Sequence, residues 1–203
     1  MTSYLNTENI ARSKGGVEYH HLRPFLPENA KVLFLGSFPP QRKRWCMNFY
    51  YPNFINDHWR IIGAVFFDDR DHFVDLEHKC FRRDEIMQFL NEKGIAYYDT
   101  AESVRRLKEN ASDQFLEVVE PTDILALLKR IPECRAVAPT GGKAVQTLCE
   151  TFGITDLPKI GMSVEIPSHK GLRLYRLPSS SRAYPLAFEK KVEFYRNFFD
   201  CVL

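Results

Sequence analysis

The sequence predicts a three-layer α/β domain, with helices on both faces of a central, mostly parallel sheet. Three observations predict it. Short apolar runs of β-type residues alternate with segments whose apolar residues recur at helical spacing. The first such run ends in Gly36 and Pro39-Pro40, as a buried parallel strand entering a loop does. The 203 residues carry no repeat or internal linker, and 44% are hydrophobic, enough for one large core without staples.

Taken in order, residues 1–30 are irregular, with His20-His21, Pro24 and Pro27, and are expected to pack as an extension on a domain spanning 31–203. Residues 31–36 form the first strand. Residues 37–55, rich in Pro, Arg, Lys and aromatics, read as a long functional loop. Trp59, Ile61, Ile62, Val65 and Phe66 share helical spacing, so a helix begins near Asn56 or Asp57, either of which can cap it. A helix over 84–93 is stopped by Gly94, and 95–99 is a strand. Residues 121–130 read as a helix with Pro121 at its start. A strand over 134–138 precedes a helix opened by Thr140-Gly141-Gly142 and running to about Phe152. Strands over 164–167 and 172–177 can pair as a hairpin around Gly171. A loop to Pro185 and a helix over 186–202 close the chain.

Lys and Arg number 28 against 26 Asp and Glu, so global charge does not announce a nucleic-acid binder, and any basic surface is local. Five Cys, an odd number without a C-x-x-C pair, fit a reducing cytoplasm better than a disulfide framework. The first residues lack an apolar signal core, and no run approaches about 18 apolar residues, so no targeting segment or membrane span is expected. His72, His78 and Cys80 do not make a standard zinc spacing, and no four Cys cluster for an iron–sulfur centre.

Ligands of open α/β sheets bind beyond the carboxyl ends of strands. Three loops meet that rule: Gly36-Ser37-Phe38-Pro39-Pro40, Thr140-Gly141-Gly142-Lys143, and Leu177-Pro178-Ser179-Ser180-Ser181-Arg182. Each also has a plain reading: a strand-to-loop turn, a helix cap and a serine turn. The second is not a Walker loop, and no Gly-x-Ser-x-Gly elbow marks a hydrolase serine. In the long loop, Gln41-Arg42-Lys43-Arg44-Trp45 sets cations beside an indole, and Phe49-Tyr50-Tyr51 and Asn53 to Trp59 follow. Cations there can meet phosphates and aromatic faces can stack on bases; a solvated charge run beside core aromatics fits the composition equally well.

Residues 31–40, with Phe49-Tyr50-Tyr51-x-x-x-x-Asn56-x-x-Trp59, resemble the first motif region of the uracil-DNA glycosylase superfamily. The deoxyinosine (hypoxanthine) DNA glycosylases, beside the mismatch-specific uracil glycosylases, are the most similar branch. Tyr98-Asp99-Thr100 to Arg105 with Ala111-Ser112-Asp113, Thr140-Gly141-Gly142-Lys143-Ala144, and Leu177-Pro178-Ser179-Ser180-Ser181 resemble its later segments. The likeness covers about 31–200. It implies a four-stranded parallel sheet between helices, no cofactor, and a monomer acting in base excision repair on DNA that contains a damaged base. The implied activity is hydrolysis of the N-glycosidic bond of a deaminated base, hypoxanthine or uracil, after base flipping.

The resemblance also implies roles. Asn56 and Ser37 are the candidate catalytic residues; Gly36, Phe38 and Tyr51 are candidates for binding the base, Tyr51 by stacking. Ser179, Ser180, Ser181 and Arg182, with Lys143, Arg42 and Arg44, are candidates for binding DNA. Backbone N–H groups of 36–38 would stabilise the leaving base, and Asn56 would orient water. Asp57 and His58 are alternatives for the water, against helix capping and packing. Four positions depart from the family: Phe38 stands where the mismatch-specific branch has Asn, Leu177 where many members have His, Phe54 where Pro is usual, and Arg182-Ala183-Tyr184 where Pro-Ala-Asn is frequent. Phe38 and Leu177 favour a competing expectation, a catalytically weak or inactive nucleic-acid-binding member of the fold. A nucleoside hydrolase is a third expectation, one that leaves Arg42, Lys43, Arg44 and Arg182 without a task.

Overall fold

The computed structural model describes residues 16–107, 115–167 and 169–203. The Ala111-Ser112-Asp113 segment and residues 1–15 lie outside the described residues. Along the chain run β1 (Val17–Tyr19), β2 (Val32–Gly36), α1 (His58–Phe67), β3 (Val74–Asp75), β4 (Cys80–Phe81), α2 (Arg83–Lys93), β5 (Ile95–Asp99), β6 (Ala101–Arg106) and β7 (Leu116–Pro121). Then come α3 (Ile124–Arg130), β8 (Ala136–Pro139), α4 (Gly142–Phe152), β9 (Ser163–Glu165), β10 (Arg173–Tyr175) and α5 (Phe188–Val202).

The apolar runs make the central sheet, in the order β5-β2-β8-β10-β9. β5, β2, β8 and β10 are parallel. The expected four-stranded sheet is extended to five, because the turn through Gly171 brings β9 back antiparallel along the free edge of β10. β2 and β5 are buried at every position, as strands covered on both faces must be. α1 and α2 meet through Phe66 and Phe89, and α4 lies against β8. α5 returns to the face of α1, where the Phe34 ring meets Tyr195, Phe198 and Phe199 of α5 and His58 of α1.

A second sheet, β1-β6-β7, is antiparallel and was not foreseen. Its strands are short and its residues mix charge with scattered apolar side chains, so they carry no clean period of two. β1 belongs to the N-terminal extension and pairs with β6, and Phe25 bridges to Tyr97 of β5. The helix expected from Pro121 begins later. Pro121 ends β7, and the Asp123 carboxylate caps α3 by accepting from the Ala126 N–H at 2.9 Å. Gly94 closes α2 in the left-handed region, its N–H on the Leu90 carbonyl. No helix among the described residues is long and apolar enough to cross a membrane.

His58 is the most costly polar group in this core. It is fully buried, its Nε2 lies 2.8 Å from Tyr97 Oη, and its Nδ1 has no hydrogen-bond partner among the described residues. Burial pushes its pKa down to about 3, so the folded protein holds the neutral ring. A base depressed in this way takes up its proton only on unfolding below pH 6.5, so acid favours the unfolded chain. Between pH 6 and pH 4 this one group is expected to cost about 1.4 kcal/mol of stability per pH unit. Urea unfolding across that range, compared with His58→Phe, checks it: the variant should show a slope shallower by that amount, and identical slopes would refute the assignment.

Candidate active site

The chain leaves β2 toward β5 and leaves β8 toward β10, in opposite directions, the topology at which open α/β sheets form their ligand crevice, beyond the carboxyl ends of the two strands. Gly36-Ser37 and Thr140-Gly141-Gly142 stand on either side of it. β5 ends beside β2 in register, with Gly36 opposite Asp99. The Asp99 carboxylate leans across that junction: a Cβ at residue 36 would overlap Asp99 Oδ1 and lie 3.8 Å from Tyr51 Oη. Any side chain here would have to displace that carboxylate.

Asp99 Oδ2 accepts from His20 Nε2 at 2.8 Å, and the other ring nitrogen of His20 meets the Leu22 carbonyl at 2.8 Å. The two side chains are 9% and 2% exposed. Burial works against the imidazolium, but the hydrogen bond and charge of Asp99 and the Leu22 carbonyl outweigh it and raise the His20 pKa. The outcome is a buried carboxylate held in place by a segment 79 residues away in sequence.

Tyr51 adopts a left-handed backbone, φ 48°, which is uncommon outside glycine. Its ring stacks on His58, centroids 3.7 Å apart and planes 12° from parallel, and its hydroxyl hydrogen-bonds the Thr140 hydroxyl across the crevice. Asn56 is half-buried, and its Oδ1 accepts the His58 N–H at 2.9 Å, so Asn56 caps α1 and keeps its amide N–H groups for other partners. Asp57, though it stands at the cap position, makes no capping bond. Its carboxylate receives Arg182 Nε at 2.8 Å and approaches Lys191 Nζ at 3.5 Å.

Ser37 is buried, and its carbonyl lies 3.5 Å from the Thr100 hydroxyl. Phe38 packs with Ala101, Val104 and Leu116 in a small cluster against the second sheet, edge-on to His20. Residue 38 therefore presents backbone rather than ring to the crevice. Leu177 is buried in the main core and bridges to Thr140. Ser179 to Ser181 form a loop tied down by its backbone. The Pro178 carbonyl accepts from Tyr195 Oη, Ser180 O from the Asp57 N–H, and Ser181 O from Lys191 Nζ. Ser180 is buried, while Ser179 and Ser181 are half-buried.

Lys143 sits half-buried in the first turn of α4. Arg42 and Arg44 are exposed on a short 3-10 turn. The Arg42 guanidinium lies 4.3 Å over the Trp45 ring, and Trp45 meets His21 edge-on, which places this basic and aromatic turn beside the segment that carries His20. His78 pairs with Asp75 and His72 stacks on Phe67, and no group of three or more His, Cys, Asp or Glu among the described residues is arranged to hold a metal.

Sequence reasoning did not single out Asp99, His20 or Lys191 as functional, and named Thr140 only within its loop. Asp99 carried a signal, a carboxylate ending a strand at the ligand-binding end of the sheet. His20 carried none, since only folding brings it to Asp99.

No family model and no curated protein matches the chain. A solved structure does: the solution NMR structure of a protein from Methanosarcina acetivorans, provisionally named a uracil DNA glycosylase. It superposes with a TM-score of 0.58 over 91% of this chain and 99% of that chain, at 23% identity. The chain thus shares the fold of that protein, a mixed α/β domain around a mostly parallel sheet.

The crowding at Gly36 gives a direct test of the site's construction. Gly36→Ala must displace the Asp99 carboxylate from His20 and is expected to lower stability by about 1–3 kcal/mol, as overpacking does. It should also return the His20 pKa toward an ordinary value. NMR titration of the imidazole reads this, and an unchanged His20 titration would refute the geometry.

Proposed function

We propose that this protein is a monofunctional DNA glycosylase that hydrolyses the N-glycosidic bond of a deaminated base, hypoxanthine or uracil, after flipping it from the helix. The observation that carries the reading is the Asp99–His20 pair set beneath Gly36 and beside Tyr51, at the end of the sheet where such folds bind ligands. Deamination of adenine and of cytosine changes the base edge in the same way. Adenine and cytosine carry a ring-nitrogen lone pair where hypoxanthine and uracil carry an N–H beside a carbonyl. A carboxylate accepts from that N–H and repels the lone pair. Support comes also from the motifs at 31–59, 140–144 and 177–181, and from the name of the Methanosarcina acetivorans neighbour.

In the reaction, the bond from C1′ to the base nitrogen breaks with oxocarbenium character on the sugar and negative charge on the base. Water supplies hydroxyl to C1′, and its proton ends on the departing base. Backbone N–H groups of residues 36–38 donate to the base carbonyl, the Asn56 amide orients the water, and Tyr51 stacks on the flipped base. Ser179 to Ser181, Arg182, Lys143, Arg42 and Arg44 meet the DNA backbone. The protein acts as a monomer in base excision repair, and its free cysteines suit a reducing cytoplasm.

One observation favours a second reading: Phe38 and Leu177 bury apolar side chains where related enzymes place polar ones. A non-catalytic binder of damaged DNA would tolerate both. An abasic-site assay on oligonucleotides carrying hypoxanthine, uracil, xanthine or no lesion separates the two. Alkali-labile product from a deaminated base is expected. Asn56→Ala should cut kcat on the order of 100-fold or more. Asp99→Asn should lower kcat/KM about 10- to 100-fold, the loss of one charge-assisted hydrogen bond. Lesion binding without abasic product from any substrate would establish the non-catalytic reading instead.

A further inference from the structure

The loop that carries Ser179 to Arg182 is anchored by a buried charge cluster that the chemistry above leaves unused. Lys191 of α5 is 1% exposed. Its ammonium donates to the Ser181 carbonyl at 2.8 Å and lies 3.5 Å from Asp57 Oδ2. Asp57 is buried as well, and its other oxygen accepts Arg182 Nε at 2.8 Å. Its backbone N–H donates to the Ser180 carbonyl at 3.1 Å. Arg60, buried one turn along α1, is held elsewhere, on the carbonyls of Phe54 and Asn56. A single interior carboxylate is therefore shared between one cation fixed in the core and another, Arg182, that is 47% exposed.

The sharing has a physical consequence. Were Arg182 the only partner, its departure would leave Asp57 as an unpaired charge in the interior, and the pair would be locked. Lys191 removes that lock. It cannot leave, it satisfies Asp57 on the side away from Arg182, and it holds the serine loop at the same time. Arg182 engages Asp57 through Nε, while its terminal guanidinium nitrogens form the fork that suits a phosphate.

We infer that Lys191 is a positioning residue that makes Arg182 exchangeable: Arg182 rests on Asp57 in the free protein and transfers to a DNA phosphate on binding, while Lys191 keeps Asp57 paired and the Ser181 carbonyl in place. The inference rests on the nucleic-acid reading of this loop and not on excision of a base.

The salt dependence of binding to an undamaged DNA duplex tests it, because each phosphate contact adds about 0.9 to the slope of log K against log salt. Lys191→Met should lower the slope by about one contact, since Arg182 can no longer leave Asp57. Arg182→Ala should lower it by the same amount, and the double variant no further. Lys191→Met with Asp57→Asn should recover the wild-type slope, which a merely structural lysine would not do. A wild-type slope in Lys191→Met, or no recovery with Asp57→Asn, would overturn the inference. Should Lys191→Met not fold, Asp57→Asn alone decides: exchange predicts several-fold tighter duplex binding at an unchanged slope, and equal or weaker binding overturns it. Absence of duplex binding by the wild-type protein overturns it too. The full slope pattern without abasic product would leave the exchange standing and remove only the glycosylase reading.

Discussion

Phe34 and Tyr97, on adjacent parallel strands, stack with centroids 5.2 Å apart, and His58 joins that pair to the crevice. It meets Tyr97 through a hydrogen bond and Tyr51 through a stacked ring. The position of Tyr51 depends on this link. A left-handed backbone at a tyrosine costs about 1–3 kcal/mol. A stacked ring pair contributes about 0.5–1.5 kcal/mol and a net hydrogen bond about as much. The two restraints, His58 behind the ring and Thr140 at its hydroxyl, are thus of the size needed to offset the strain.

The two ends of the crevice follow one electrostatic rule. Each carries a buried carboxylate, Asp99 beside β2 and Asp57 before α1, and each carboxylate has a cation brought from distant sequence: His20 to the first, Lys191 to the second. Neither carboxylate is stable in such surroundings alone. The partners differ in kind, however. A histidine can lose its charge near neutrality and a lysine ammonium ordinarily cannot. The Asp99 end is thereby tunable by protonation, and the Asp57 end is a fixed anchor for a loop.

What the residues disclosed in advance follows from where the physics is local. Runs such as 31–36 and 95–99, and the glycine stop at 94, announce themselves because burial on both faces and a left-handed cap leave marks in consecutive residues. The sheet β1-β6-β7 left no such mark, since β1 finds its partner β6 more than 80 residues away and the β6 and β7 residues mix charged with apolar side chains. The site divides the same way. Gly36, Tyr51 and Asn56 sit in one contiguous stretch and were candidates by likeness, whereas His20 and Lys191 acquire meaning only through partners that folding supplies. Asp57 illustrates the limit. Its place before a helix is a capping signature, yet its neighbour Asn56 caps the helix and Asp57 turns to Arg182.

A bare carboxylate would be a poor neighbour for the reaction proposed here. Accepting the N–H of a deaminated base favours binding, but the same negative charge opposes the negative charge that grows on the base as the glycosidic bond breaks. In a site of low dielectric that opposition is far larger than in water. His20 resolves the conflict. Against burial, the hydrogen bond and charge of Asp99 raise its pKa, and while the imidazole carries its proton the Asp99–His20 pair can accept a hydrogen bond and stay close to neutral overall. As pH rises through the folded-state pKa of His20, the pair becomes a net anion, and both the stabilisation it gives the fold and its compatibility with a departing anion decline together. On the reading proposed, recognition by Asp99 and tolerance of the leaving base depend on the same proton, held on a histidine that the N-terminal segment delivers to the end of the sheet.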